Sequence, residues 1–243
     1  MGRLEGRRAL VTGGGRGIGA AVARALADEG AAVAVAARTA PEVEAVAASV
    51  RGRAVVVDVA DTHSVARAMR EVGEIDVLVA NAGVVWPLRR FAETDIDEWE
   101  RAVAINLLGA VRVVRSVLPG MVARGWGRIV TVSSGAASPP GMPSANAYST
   151  SKAALDMFAL HLSAEVEGTG VTVNAVRPGV VDTEMQDFMR SLPREQVGEA
   201  FHDRFHGLHE RGELVAAEDS AGFLVEVMLS GDNGTVRDIR EAR

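Results

Sequence analysis

Arg8-Ala9-Leu10-Val11-Thr12-Gly13-Gly14-Gly15-Arg16-Gly17-Ile18-Gly19 sets a short apolar run directly before a glycine-rich turn. Ile18–Glu29 follows with helical spacing, so the turn falls where a strand hands over to a helix. Glycines at such a junction let the backbone turn tightly and approach a pyrophosphate, whose charge is favoured at a helix N-terminus. The spacing is G-x-x-x-G-x-G rather than G-x-G-x-x-G. Glycine-rich turns also arise for steric reasons alone; the position at the first strand–helix junction is what points to a nucleotide. Gly13, Gly15, Arg16, Gly17, Ile18 and Gly19 are the candidate contacts.

Outward from that turn, short Val/Ile/Ala runs recur at Arg8–Thr12, Ala32–Ala36, Arg53–Val57, Asp76–Ala80, Arg128–Val132 and Val171–Val176. Helical patterns separate them at Pro41–Val50, Thr62–Val72, Asp95–Met121 and Ala147–Glu167. Such alternation predicts βαβ units and a parallel sheet. The expectation is one doubly wound α/β domain over residues 1–243, about seven strands with helices on both faces. After Pro178 the pattern changes. Val181–Leu214 mixes Met, Phe, His and charge and reads as one or two helices forming a lid at about 181–214, before a last helix (Ala217–Leu229) and strand (Thr235–Ile239).

Composition narrows the function. The 243 residues are 48% apolar with few aromatics, which suits parallel strands under closely packed helices. A net charge of −6 with no Lys/Arg cluster argues against nucleic acid. Zero cysteines exclude disulfides and thiolate metal sites. Met1–Leu10 lacks an apolar signal core, and no stretch reads as a membrane span, so a cytoplasmic protein is expected.

The second strand ends Ala36-Ala37-Arg38-Thr39. A carboxylate near this point would suit a ribose 2′-hydroxyl, whereas an arginine accommodates a 2′-phosphate. With no acid at Ala37, Arg38 beside it and Arg16 in the glycine turn, NADPH is the expected cofactor and NAD the lesser one. The simpler reading of Arg38 is a solvated charge at a strand end. Asp58 and Val59, after the third strand, fall near the adenine, although Asp58 also suits a turn or helix cap. The chain's one tyrosine, Tyr148, precedes its one lysine, Lys152, by four residues on a predicted helix, which places both on one face. A cation near a phenol favours its ionised form and makes it usable in proton transfer.

With that pair added to the glycine turn, the chain resembles the short-chain dehydrogenase/reductase family over essentially residues 5–240. Asn81-Ala82-Gly83 looks like its N-A-G motif lining the cofactor cleft. Asn106 matches its helix asparagine, Ser133-Ser134 ends the fifth strand, and Pro178-Gly179 through Thr183 matches P-G-x-x-x-T near the nicotinamide amide. The resemblance implies a Rossmann fold, with Tyr148 as general acid in carbonyl reduction or base in alcohol oxidation. Lys152 would hold the nicotinamide ribose and lower the tyrosine pKa, a serine would polarise the substrate oxygen, and Asn106 would support a water relay. The family serine stands thirteen residues before the tyrosine, where this chain has Gly135. Ser134, fourteen before, is therefore assigned, with the extra residue expected in the loop Ser138–Pro143.

The substrate end is similar to the sepiapterin reductase and benzil reductase branch, in Val181–Gln186, Gly212–Val215, Ser220-Ala221 and Gly234–Asp238, where an aspartate can meet a pterin ring. That likeness implies an NADPH-dependent reductase of a small carbonyl compound. A ketoacyl-type reductase, an alcohol dehydrogenase on the same tetrad and a dinucleotide-sensing regulator are the alternatives. Trp86, Met142, Met185 and Phe188 are the expected substrate wall, or else ordinary core. His202, His206 and His209 share a helix face, read as solvated rather than metal-binding, and no metal is expected. A homodimer or homotetramer is expected through the long helices, with Ala153, Ala154, Phe158 and Leu162 as contacts.

Overall fold

In the computed structural model, which describes residues 2–241, seven parallel strands form one sheet in the order β3-β2-β1-β4-β5-β6-β7. They are β1 (Arg8–Thr12), β2 (Ala32–Ala37), β3 (Arg53–Val56), β4 (Val77–Ala80), β5 (Gly127–Val132), β6 (Val171–Arg177) and β7 (Val236–Asp238). Successive side chains along each strand point to opposite faces, and the burial follows. Ala9 and Val11 of β1, Val77 and Val79 of β4, and Val130 and Val132 of β5 join one core layer with α1 (Gly17–Asp28), α2 (Ala40–Ser49) and α10 (Ala217–Leu229). Leu10, Leu78 and Ile129 face the other layer, with α3 (Thr62–Val72), α5 (Gly109–Arg124) and α6 (Asn146–Glu165). Burial on both faces explains why the strands read as continuous apolar runs rather than alternating ones.

Three expectations change. The predicted helix Asp95–Met121 is α4 (Ile96–Val103), a π-helical segment at Ala104–Leu108, and α5. Together they make a helix of 29 residues, Ile96–Arg124, in which an 18-residue window reaches a mean hydropathy of 1.5, enough to cross a membrane by length and composition alone. Its apolar stripe is that of a core helix: Val113, Val114, Val117 and Met121 pack under the sheet. Val181–Leu214 forms three helices, α7 (Glu184–Ser191), α8 (Arg194–Val197) and α9 (Glu199–Glu210). Phe201 and Phe205 of α9 bury with Met189 of α7 and with Val85 and Leu88 beyond β4, which seats the lid on the strand ends. Leu162, expected at a subunit contact, is instead core.

The strand that closes the sheet is tied down by one side chain. Asn174, buried in β6, accepts from the Thr235 backbone N–H at 3.0 Å and from its hydroxyl at 2.8 Å, and donates to the Asp232 carbonyl at 2.7 Å. Replacing it by Leu strands three polar groups, each costing about 1–3 kcal/mol when buried unpaired. Asn174→Leu is expected to lower stability by about 2–4 kcal/mol, read as a reduced urea midpoint, and to loosen the chain that carries Asp238.

Candidate active site

The C-terminal ends of β1, β2, β3 and β4 open onto a cleft of about 570 Å³ lined by Gly13, Gly15–Gly19, Arg38, Asp58, Val59 and Asn81–Gly83. Sheet geometry puts it there, because parallel strands deliver all their following loops to one edge. The glycine turn lies hard against the end of β4. Gly13 has φ +63°, and a Cβ on it would lie 2.8 Å from the Ala82 Cα. A Cβ on Gly19 would collide with the Gly13 carbonyl oxygen. Asn81 clamps this approach: its Nδ2 donates to the carbonyls of Thr12 and Gly13, both at 3.0 Å, while its own N–H donates to Thr12 Oγ1 at 3.1 Å. At the start of α1 no side chain caps the helix and no acid stands in the first turn. Free N–H groups at a glycine-cleared helix start fit a dinucleotide pyrophosphate.

The two arginines of this cleft differ. Arg16 is paired with Glu184 at the start of α7, across the cleft from the glycine turn. Arg38 is exposed and has no ion-pair partner among the described residues. Glu42, in the first turn of α2, also lines the cleft, with its side chain against the face of Gly15. The sequence reading passed over it, because an acid in a helix's first turn is normal helix chemistry.

A second cavity of about 260 Å³ adjoins the first and shares Ile18, Asn81, Gly83, Val85, Thr183 and Met185 with it. Ser134, Tyr148, Lys152, Pro178 and Gly179 stand on its wall. Ser134 donates a hydrogen bond to the Tyr148 phenol, and its Oγ accepts from the Ala136 N–H at 3.1 Å. Ser133 also borders this cavity but is buried, with its hydroxyl donating to the Lys152 carbonyl at 3.4 Å. Met142 and Met185 line this cavity, whereas Trp86 and Phe188 lie on the wall of the larger cleft. Asn106 is wholly buried and lines neither. Its Oδ1 accepts from the Val84 N–H at 2.7 Å, and its Nδ2 donates to the Val84 carbonyl at 2.9 Å and to Ser151 Oγ at 3.0 Å. Space over Gly83 is shared: a Cβ there would lie 3.2 Å from Asn106 Oδ1 and 3.4 Å from Lys152 Nζ.

The electrostatics differ from the expectation. Burial pushes the Tyr148 phenol above its usual range, opposed only in part by the Ser134 hydrogen bond. The lysine is the group brought down: burial lowers Lys152 to about 8, with Asp156 one turn further along α6 opposing the fall. Lys152 Nζ lies 5.8 Å from the Tyr148 ring centre and donates to the Val132 carbonyl at 2.6 Å. Asp156 is itself held by Arg177 at 2.7 Å. The phenol thus keeps its proton, and the ammonium is the group that burial disfavours.

Other predicted features resolve simply. The Asp238 carboxylate, placed by resemblance against a pterin ring, is taken by Arg240, whose Nη2 and Nε reach it at 2.5 and 2.9 Å. The His202 and His206 rings stack at 4.1 Å, and His206 Nε2 lies 3.1 Å from the Arg190 carbonyl.

A sequence model of the family described as short chain dehydrogenase matches residues 7–193. The chain belongs to the short-chain dehydrogenase/reductase family. It is 35% identical over 228 residues to the 2-dehydro-3-deoxy-L-rhamnonate dehydrogenase (NAD(+)) of Sphingomonas sp. (strain SKA58), covering 92% of this chain and 88% of that one. It is 37% identical to the cis-4-hydroxycyclohexanecarboxylate dehydrogenase of Sinomonas cyclohexanicum, covering 94% and 96%. Among solved structures, the KRED1-Pglu enzyme superposes with TM-score 0.87 at 33% identity, over 95% of this chain and 99% of that one. This short-chain dehydrogenase/reductase is an oxidoreductase that uses a nicotinamide dinucleotide.

Lysine burial makes a prediction about stability. Lys152 is charged when unfolded up to about pH 10.5 but, folded, only up to about 8. Below 8 the fold carries the full cost of the buried ammonium, about 3 kcal/mol, and this cost fades as pH rises from 8 to 10.5. Lys152→Met removes it while leaving the Val132 carbonyl without its donor. The variant is expected to gain about 1–2 kcal/mol at pH 7, an advantage lost at about pH 9 and reversed by about 1 kcal/mol at about pH 10.5 and above, where only the missing donor to Val132 counts. Equal stability at every pH would show that the ammonium is well solvated.

Proposed function

We propose that the chain reduces a small-molecule ketone by hydride transfer from NADPH, with Tyr148 as the proton donor. The observation that carries this reading is the protonated phenol on the wall of the smaller cavity, hydrogen-bonded to Ser134 and opening towards the cofactor cleft. A phenol held above its usual range keeps its proton at neutral pH, which suits donation to a developing alkoxide better than abstraction from an alcohol. The single Ser134 hydroxyl proton would turn from the phenol to the substrate oxygen as a second donor there. Lys152, charged at neutral pH and anchored on the Val132 carbonyl, is placed for the nicotinamide ribose. Asn106 ties the loop after β4 to α6 through Val84 and Ser151 and so fixes the floor beneath both. When bound, the dinucleotide supplies the hydride; the residues supply position and proton.

NADPH is favoured by Arg38, exposed at the cleft, free of a described partner and able to fork onto a 2′-phosphate. A second reading, NAD(H), is favoured by Glu42, whose carboxylate faces the same part of the cleft, and by the NAD(+) specificity in the Sphingomonas relative's name. The expected homo-oligomer would use α5 and α6, which expose Val122 and Met157.

Oxidation of NADPH and of NADH at 340 nm, across a ketone panel, tests the reading. Tyr148→Phe is expected to lower turnover at least about a hundredfold with dinucleotide affinity retained. Turnover that persisted would give the proton to another group. For the cofactor, Arg38→Asp is expected to reverse the NADPH/NADH preference, while Glu42→Gln strengthens it. An NADH preference in the parent chain, weakened by Glu42→Gln, would establish the second reading.

A further inference from the structure

The smaller cavity is walled by three cations, Lys152, Arg204 and Arg240, and by a single carboxylate, Asp238, in a chain whose net charge is −6. Two of the cations are committed. Arg240 is neutralised by Asp238 through three hydrogen bonds, from its backbone N–H, Nε and Nη2. Lys152 lies behind the phenol, on the Val132 carbonyl. Arg204 remains. It projects from α9 at the exposed rim of the cavity and has no ion-pair partner among the described residues. Its guanidinium carbon lies 5.8 Å from the centre of the Phe205 ring. That ring is buried in the lid core, so Arg204 leaves the helix at a fixed point.

The wall between rim and phenol is also short of partners. Gln186 of α7 is buried on it, and its Oε1 has no hydrogen bond. Its Nε2 has only the Met189 sulfur, at 3.6 Å. A buried amide with unused capacity costs free energy until something fills it. At about 260 Å³ the cavity falls below the range usual for drug-sized ligands. An unpaired guanidinium matches a carboxylate in plane and charge better than it matches any neutral group.

We propose that the substrate is a small ketone carrying a carboxylate, which Arg204 binds at the rim while the carbonyl meets Tyr148, with the Gln186 amide taking a further polar substituent between them. This rests on the carbonyl chemistry proposed above.

The test compares 4-oxopentanoate and 4-oxocyclohexanecarboxylate with their methyl esters, in the parent chain and in Arg204→Met and Arg204→Lys. The parent is expected to favour acid over ester in kcat/KM. That ratio should fall about tenfold or more in Arg204→Met and recover in part with Arg204→Lys. An ester preference in the parent, or a ratio that Arg204→Met leaves unchanged, overturns the proposal. If neither form turns over, calorimetry of the acids on the protein saturated with NADP(H) decides: binding weakened by Arg204→Met supports it, and no binding or unchanged binding overturns it. Tyr148→Phe keeps the two ideas apart, since turnover surviving that change would sink the proton-donor reading and leave the acid-to-ester ratio to judge Arg204.

Discussion

The site depends on keeping one ammonium group in a place that water barely reaches. Lys152 is 4% exposed. A charge there survives only because its surroundings are organised: the Val132 carbonyl at the end of β5 accepts from it, and Asp156, held by Arg177 from β6, supplies negative charge from one turn along α6. Those partners come from two strands and a helix. The sheet register that aligns β5 with β6, Val132 opposite Val176, is thus also what gives the lysine its partners. Folding accepts an unfavourable charge at this point because the packing around it leaves no alternative position.

That environment divides labour between two neighbouring side chains. A bare pairing of phenol and ammonium suggests an acidified tyrosine. Burial acts on both and in opposite senses, raising the acid and lowering the base, so each is driven towards its neutral form. The site therefore holds its phenol protonated. The anionic cofactor phosphates would add negative charge to the same cleft, and the lysine is the group with most to gain from them.

Strand positions and the glycine turn were legible because they are local. Apolar runs bounded by turn residues have one meaning in a βαβ chain, and β1 falls where the sequence places it. Ser134 was named by counting back from Tyr148, and it follows β5 on the wall of the smaller cavity, with the stretch 138–145 between its turn and α6. Other features had no local signal. Gln186 and Arg204 reach the smaller cavity only because α7 and α9 fold back over the strand ends, and Arg240 only because the turn after β7 ends beside it; sequence periodicity encodes neither return. Trp86, in the loop after β4, and Phe188, on α7, were expected beside the substrate and line the larger cleft. The helix Ile96–Arg124 was legible almost whole, as Asp95–Met121, but the π-helical segment inside it was not, because one extra residue leaves no mark on apolar spacing.

That segment, Ala104–Leu108, amounts to one residue more than an α-helix would use over the same rise. Each α-helical residue turns the chain by about 100°. Phase is therefore stored in it. The extra residue lets Asn106 face the loop after β4 while Val113, Val117 and Met121, further on, still face the sheet. Shortening the helix by that one residue would leave its hydrogen bonds intact and put the two halves out of step, so that either the asparagine or the core stripe would look the wrong way. The length of this helix is thus fixed to the single residue, although nothing at either of its ends requires it.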